Sequence, residues 1–229
     1  MKKITLTALL ISTGLAALAQ STTSPTPTPV PTKMQLGFDV GVNLARLNVD
    51  RGSFPSTTGL ADPSNKVAYH GAIFLNIPIG GVFSLKPQVM YSRQGSKFAT
   101  TQNGTTNNYS EDLNYIYVAP AALHILTKSG FLIETGPQLG FLVHGKLDGG
   151  TFNDVDITKN RNPLDFLWSA GVGYMIPSGF GIHARYNYGF SNVLNAKEAV
   201  NQSAGKMQNR LIQIGLMYHL GGHGGHGKH

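Results

Sequence analysis

Between Phe180 and Phe190 every second residue is apolar: Phe180, Ile182, Ala184, Tyr186, Tyr188 and Phe190 alternate with Gly181, His183, Arg185, Asn187 and Gly189. A period of two with one greasy face and one small or polar face defines a strand whose two sides meet different media, and a helix cannot satisfy it. The alternation recurs around the turn Thr127-Lys128-Ser129-Gly130. After that turn Phe131, Ile133, Leu139, Phe141 and Val143 are apolar, whereas Glu134, Gln138 and His144 fall at even positions among glycines. The two runs flanking the turn are each about 14 residues long, beyond the ~5–6 residues of soluble strands and sufficient for the ~9–11 tilted residues that cross a bilayer.

Composition points the same way. Only 13% of the 229 residues are charged, against about 25% in soluble domains. The mean hydropathy of -0.07 is still far from that of a helical membrane protein, as expected when alternation hides apolar surface from window averages. Removing Lys2 and Lys3 with a signal peptide takes two charges from the net +7. With no clustered Lys/Arg run, nucleic acid is not an expected partner. The absence of cysteine excludes a disulfide framework and an acylated lipobox.

Eight strands are expected, near 34–47, 67–78, 82–95, 113–126, 131–144, 164–176, 180–190 and 208–220. Tight connections at Ile79-Gly80-Gly81, Thr127 to Gly130 and Pro177-Ser178-Gly179 alternate with long polar ones near 48–66, 96–112, 147–163 and 191–207. Strict alternation of this kind belongs to outer-membrane barrels, with short periplasmic turns and long extracellular loops. An open sheet in lipid would leave an unpaired edge, so the strands must close. The expected fold is all-β: a closed eight-stranded antiparallel up-and-down transmembrane β-barrel. A soluble barrel of the lipocalin type, with its apolar face inward, is the alternative.

Two aromatic rings are expected at the bilayer interfaces. Phe83, Phe131 and Phe180 follow the short turns; Tyr91, Tyr115, Tyr117, Phe166, Trp168, Tyr188 and Phe190 lie near the long loops. Pro87, Pro120 and Pro137 fall inside strands, where a missing N–H breaks a ladder bond, so bulges or pairing defects are expected there.

If the apolar faces point to lipid, the lumen receives a polar network of Asp39, Lys86, Gln88, Glu134, Gln138, His183 and Arg185, joined by Asn43, His70, Asn76, His124, His144, Asn187, Gln213 and His219. An eight-stranded barrel is only wide enough for side chains to fill it, so these residues should form a plug, with Lys86, Glu134 and Arg185 pairing. No catalytic or cofactor-binding residues are expected, because no nucleophile or metallohydrolase motif surrounds His124, His144 or His183. The one weak metal candidate is the run His219, His223, His226 and His229, whose glycine spacers impose no geometry.

The remaining segments bracket the barrel. Residues 1–19 read as a signal peptide cut near Ala19: Lys2-Lys3, an apolar run from Ile4 to Leu18, and Ala17-Leu18-Ala19. Residues 20–33 form a Pro/Thr-rich linker expected to be a semi-stiff tether outside the fold. The barrel takes 34–220, and 221–229 is a Gly/His-rich tail.

Four blocks carry a family resemblance: Ser84 to Gly95 (SLKPQVMYSRQG), Tyr115 to Pro120 (YIYVAP), Gly136 to Gly140 (GPQLG) and Ala170 to Tyr174 (AGVGY). Together they resemble the outer-membrane β-barrel (porin-like, PorT-like) family of Bacteroidetes, over about Leu36 to Leu220. The resemblance implies an eight-stranded barrel in the cell outer membrane of a Gram-negative bacterium, with no catalytic residues to carry over. The chain departs from such barrels at its end, where Leu220 is followed by GGHGGHGKH and Tyr218 is the nearest aromatic. The expected partners are outer-membrane lipid and an extracellular ligand or protein met by the long loops. The expected role is a non-catalytic structural or surface-interaction protein; the alternatives are a small porin and an outer-membrane hydrolase.

Overall fold

The computed structural model describes residue 28 and residues 30–50, 63–102, 105–150, 152–195 and 205–220. Nine strands occupy them: β1 Gln35–Asp50, β2 Lys66–Gly80, β3 Phe83–Gln102, β4 Thr105–Leu126, β5 Phe131–Gly149, β6 Phe152–Asp156, β7 Leu164–Met175, β8 Phe180–Gly189 and β9 Lys206–His219. Eight of them form an antiparallel ring, β1-β2-β3-β4-β5-β7-β8-β9, closed where β1 pairs β9 from Gly37↔His219 to Asp50↔Lys206. Among the described residues no helix is long and apolar enough to cross a membrane.

The alternation read from the sequence decides which way each strand faces. On β8, Phe180, Ile182, Tyr186 and Tyr188 are exposed, while His183, Arg185 and Asn187 are buried. On β1, Phe38, Val40, Val42 and Leu44 are exposed and Asp39 and Asn43 are buried. The outside is therefore apolar and the buried polar side chains are inside, the inverse of a lipocalin, as expected of a barrel whose solvent is lipid; two apolar clusters, one around Tyr115 and Tyr117 and one around Phe74, share the interior with them. The short turns close on glycines with positive φ, 53° at Gly81, 89° at Gly130 and 90° at Gly179, a region a Cβ disfavours.

Two of the long polar connections carry strand structure of their own. Residues 96–102 and 105–112 are a continuation of the barrel wall: β3 and β4 stay paired from Ser96↔Glu111 out to Gln102↔Thr105. β6 folds back on the end of β5, Lys146↔Asp156, and is a ninth strand that the alternation did not signal. Thr28, in the expected tether, is docked on the barrel. Its N–H donates to Lys128 O at 2.8 Å and its hydroxyl to Met175 O at 3.2 Å, so the linker is not wholly outside the fold.

The three in-strand prolines meet at one place. The β3–β4 register shifts between Lys86 and Gln88, and the β4–β5 register shifts between Val118 and Leu123. Pro87, Pro120 and Pro137 lie in these two intervals, side by side on three neighbouring strands, around one extra residue in β4. One bulge thus absorbs three missing N–H groups. It also reverses the facing of β4: before it Leu113, Tyr115, Tyr117 and Ala119 are buried, after it His124 and Leu126 are. Tyr115 and Tyr117 accordingly line the lumen and do not belong to the outer aromatic ring. Phe83, Phe131, Phe180, Tyr91, Phe166, Trp168, Tyr188 and Phe190 do face outward.

Candidate functional site

The lumen is filled in layers. Near the periplasmic end, Lys86 of β3 donates to Glu134 Oε2 of β5 at 3.0 Å and sits 4.2 Å from the centre of the Phe74 ring. Arg185 of β8 pairs Glu134 Oε1 at 2.5 Å and also Asp39 of β1. His183 Nε2 lies 2.9 Å from Asp39 Oδ1. Asp39, Lys86, Glu134, His183 and Arg185 thus form one connected set, with two acidic side chains facing two basic ones. Gln88 and Gln138 are buried beside it, around a void of about 10 Å3 shared with Lys86, Glu134 and Arg185, room for no more than one water.

Above this layer Asn43 is a hub. Its Nδ2, with two hydrogens to give, lies within hydrogen-bond distance of Tyr69 O, Ser92 Oγ and Arg93 O at 3.1, 3.0 and 2.8 Å. Its Oδ1 meets His70 Nδ1 at 2.7 Å and Gln213 Nε2 at 3.0 Å. Higher still, Tyr117 donates to Asp165 Oδ2 at 2.7 Å, which also receives Asn209 Nδ2 at 2.7 Å. At the top Arg161, from the loop after β6, grips Glu111 with two bonds of 2.6 and 2.9 Å.

Asn76, His124, Asn187, Gln213 and His219 are also buried within the barrel. His144 is not: it is exposed on β5. The register shift from Asn114↔His144 to Tyr115↔Leu142 adds a residue to β5 and turns His144 out of the lumen. His219 is separated from the tail it was grouped with, its ring packed 5.1 Å from Phe74 and 5.9 Å from His124. His223, His226 and His229 lie outside the described residues. The layer formed by Tyr117, Asp165 and Asn209, and the Arg161 clamp, were missed by sequence reasoning. The signal for the first would have been recognising that the Pro120 bulge reverses β4.

Asp39, His70 and His183 place three potential metal-ligand atoms within 4.8 Å of one another. Both Asp39 oxygens, however, already face protein donors: Oδ2 is paired with Arg185 and Oδ1 lies against His183. Arg185 Nη2 also stands 3.1 Å from His183 Nε2, a fixed cation where an ion would have to sit. The arrangement is that of an ion-paired plug.

At the outer end, a cleft of about 540 Å3 opens between the β3–β4 hairpin, the end of β5 and Ser64, with Lys97, Phe98, Asn108, Tyr109 and Asp148 in its walls. A closed antiparallel ring with an apolar exterior, a polar interior and hairpins on one side is an integral outer-membrane β-barrel protein. The chain matches the family described as outer membrane protein beta-barrel domain over residues 18–195, and it belongs to that family. Among solved structures it is similar to Ail, the attachment invasion locus protein of Yersinia pestis, at 13% identity over 82% of this chain and 100% of that chain, with a TM-score of 0.48. It is also similar to Neisserial surface protein A, at 11% identity over 80% and 96%, TM-score 0.48. OprG from Pseudomonas aeruginosa matches at 10% identity over 82% and 94%, TM-score 0.36. No curated protein matches the chain.

Proposed function

We propose that the barrel is a non-catalytic surface anchor, that its lumen is plugged, and that its extracellular hairpins bind a ligand or protein outside the cell. The observation that carries this reading is the contrast between the two ends of the same wall. Inside, ion pairs and amide bonds surround a void of only about 10 Å3 beside Lys86, Glu134 and Arg185. Outside, β3 and β4 continue as a paired hairpin to Gln102 and Thr105 beside a cleft of about 540 Å3. The four sequence blocks support placing the chain with PorT-like barrels of Bacteroidetes, and the A-x-A site at Ala19 supports export by a cleaved signal peptide. A photocrosslinker at Asn107, at the hairpin tip, used on intact cells, should capture an extracellular partner that the same crosslinker at Lys128 does not. Capture of nothing from Asn107 would overturn the reading. The small-porin alternative rests on the polar lumen and requires discrete conductance in planar bilayers; folded protein that leaves the bilayer silent would exclude it.

A further inference from the structure

The closing strands carry a pattern that the plugged lumen does not use. On the outward face of β1, Phe38, Val40, Val42 and Leu44 are followed by Arg46. On the outward face of β9, read towards the outer rim, Tyr218, Leu216, Ile214 and Ile212 are followed by Arg210. The two arginines are direct cross-strand partners, and Arg210 is in turn paired with Tyr188 of β8. Both strands therefore change from apolar to cationic at the same register, beside an exposed tyrosine.

Two like charges directly opposite each other disfavour the pairing that brings them together. Among the described residues no carboxylate bonds either one. Arg210 is held in place: its guanidinium stacks 3.5 Å from the centre of the Tyr188 ring, Nη1 donates to Gly189 O and Asn209 O at 2.7 and 2.8 Å, and Nη2 donates to Gln208 Oε1 at 3.0 Å. These bonds leave Nε undirected. The Arg46 side chain is exposed, and no described residue is bonded to its guanidinium. An oriented guanidinium beside a free one, at the height where hydrocarbon gives way to headgroups, suits a bridging anion with several oxygens. Arginine forks match phosphate geometry.

We propose that Arg46 and Arg210 form a site for the phosphate of a lipid headgroup in the outer leaflet, where phosphorylated glycolipid is the anionic lipid at that depth. The bound phosphate would neutralise the arginine pair across the β1–β9 seam, so the same contact would reinforce ring closure.

The test uses the full chain folded in detergent micelles and titrated with diphosphoryl lipid A, followed by native mass spectrometry. R46Q should weaken binding about fivefold, and R46Q/R210Q by about that factor again, the worth of a basic residue near an anionic surface. K128Q/K159Q, which removes the same charge from a periplasmic turn and an outer loop, should bind as the wild type does, and dephosphorylated lipid A should bind all variants equally poorly. Unchanged affinity in R46Q/R210Q with heat-modifiable gel mobility retained would overturn the proposal, as would an equal loss in K128Q/K159Q. Complete displacement of lipid A by excess inorganic phosphate would show a free-anion site and also overturn the lipid assignment. Should the double variant fail to fold, R46Q decides alone, since that side chain makes no described hydrogen bond or ion pair.

Discussion

Gly140 of β5 lies directly against the ring of Tyr117 on β4: the two are register partners, and a β-carbon at 140 would overlap the ring. The ring cannot swing aside, because its hydroxyl donates to Asp165 at 2.7 Å and accepts from Gln94 at 2.9 Å. Gly140→Ala should therefore destabilise the barrel by about 1–3 kcal/mol, the usual cost of overpacking, read as a lower urea midpoint in micelles. A midpoint equal to that of the wild type would show that the ring is free to move.

Removing the Tyr117 hydroxyl tests the same contact from the other side. Tyr117→Phe leaves Asp165 Oδ2 with Asn209 alone and Gln94 Nε2 without its acceptor, and leaving buried polar groups unsatisfied costs about 1–3 kcal/mol. The loss should shrink in an Asp165→Asn background if the two groups are coupled.

The ion-pair layer should behave as a unit. Glu134→Gln removes the carboxylate that Lys86 and Arg185 share, and breaking one side of a buried pair costs about 3–5 kcal/mol. Lys86→Met with Glu134→Gln should be less destabilising than the sum of the single changes in urea unfolding. Additive effects would mean that Lys86 and Glu134 are each solvated independently.

Topology can be read with single cysteines in a chain that has none. His144→Cys and Asn107→Cys should react with a membrane-impermeant maleimide on intact cells, because both positions are exposed at the outer end. Lys128→Cys should react only after the outer membrane is permeabilised, and His183→Cys, buried in the lumen, only after unfolding. Protection of His144→Cys would return that residue to the lumen and remove the β5 bulge.

Acid should weaken the outer rim before the rest. Asp112 stands above the aromatic belt, 2.7 Å from Lys66 Nζ and 2.8 Å from Arg93 Nε. Burial opposes its ionisation, but the hydrogen bonds from Arg93 and Lys66 outweigh burial and hold the carboxyl below its usual range. A group with a lowered folded pKa contributes stability that is complete above its unfolded value of about 3.9 and is lost as pH falls through the folded one. The wild type should therefore lose more stability than Asp112→Asn as pH drops below about 4, and parallel pH profiles would contradict this.

The eight strands of the ring, their closure and the outward apolar face are all legible in the sequence, since each rests on a period of two that lipid enforces along β1, β8 and β9. What escaped was anything beyond a bulge. One extra residue near Pro120 puts Tyr115 and Tyr117 in the lumen, and one at Val143 puts His144 outside, because a shift of one residue exchanges the two faces. The prolines mark where pairing fails but not which strand carries the extra residue. β6 and the Arg161–Glu111 clamp had no periodic signal at all, being local loop structure set by contacts distant in the chain.

The seam between β1 and β9 runs without a register break from Gly37↔His219 to Asp50↔Lys206, and across it Gln213 reaches Asn43 over 170 residues of chain. Every other strand of the ring meets a partner that is next or nearly next in sequence. Folding must therefore wait for the two ends of the chain to find each other, and contacts of such long range are slow to form. Until they do, the molecule is a ribbon with two unsatisfied edges in lipid, each able to accept a strand from a neighbouring copy. A chain stopped before Lys206 would not make a smaller barrel. It would make an open sheet that other copies could extend.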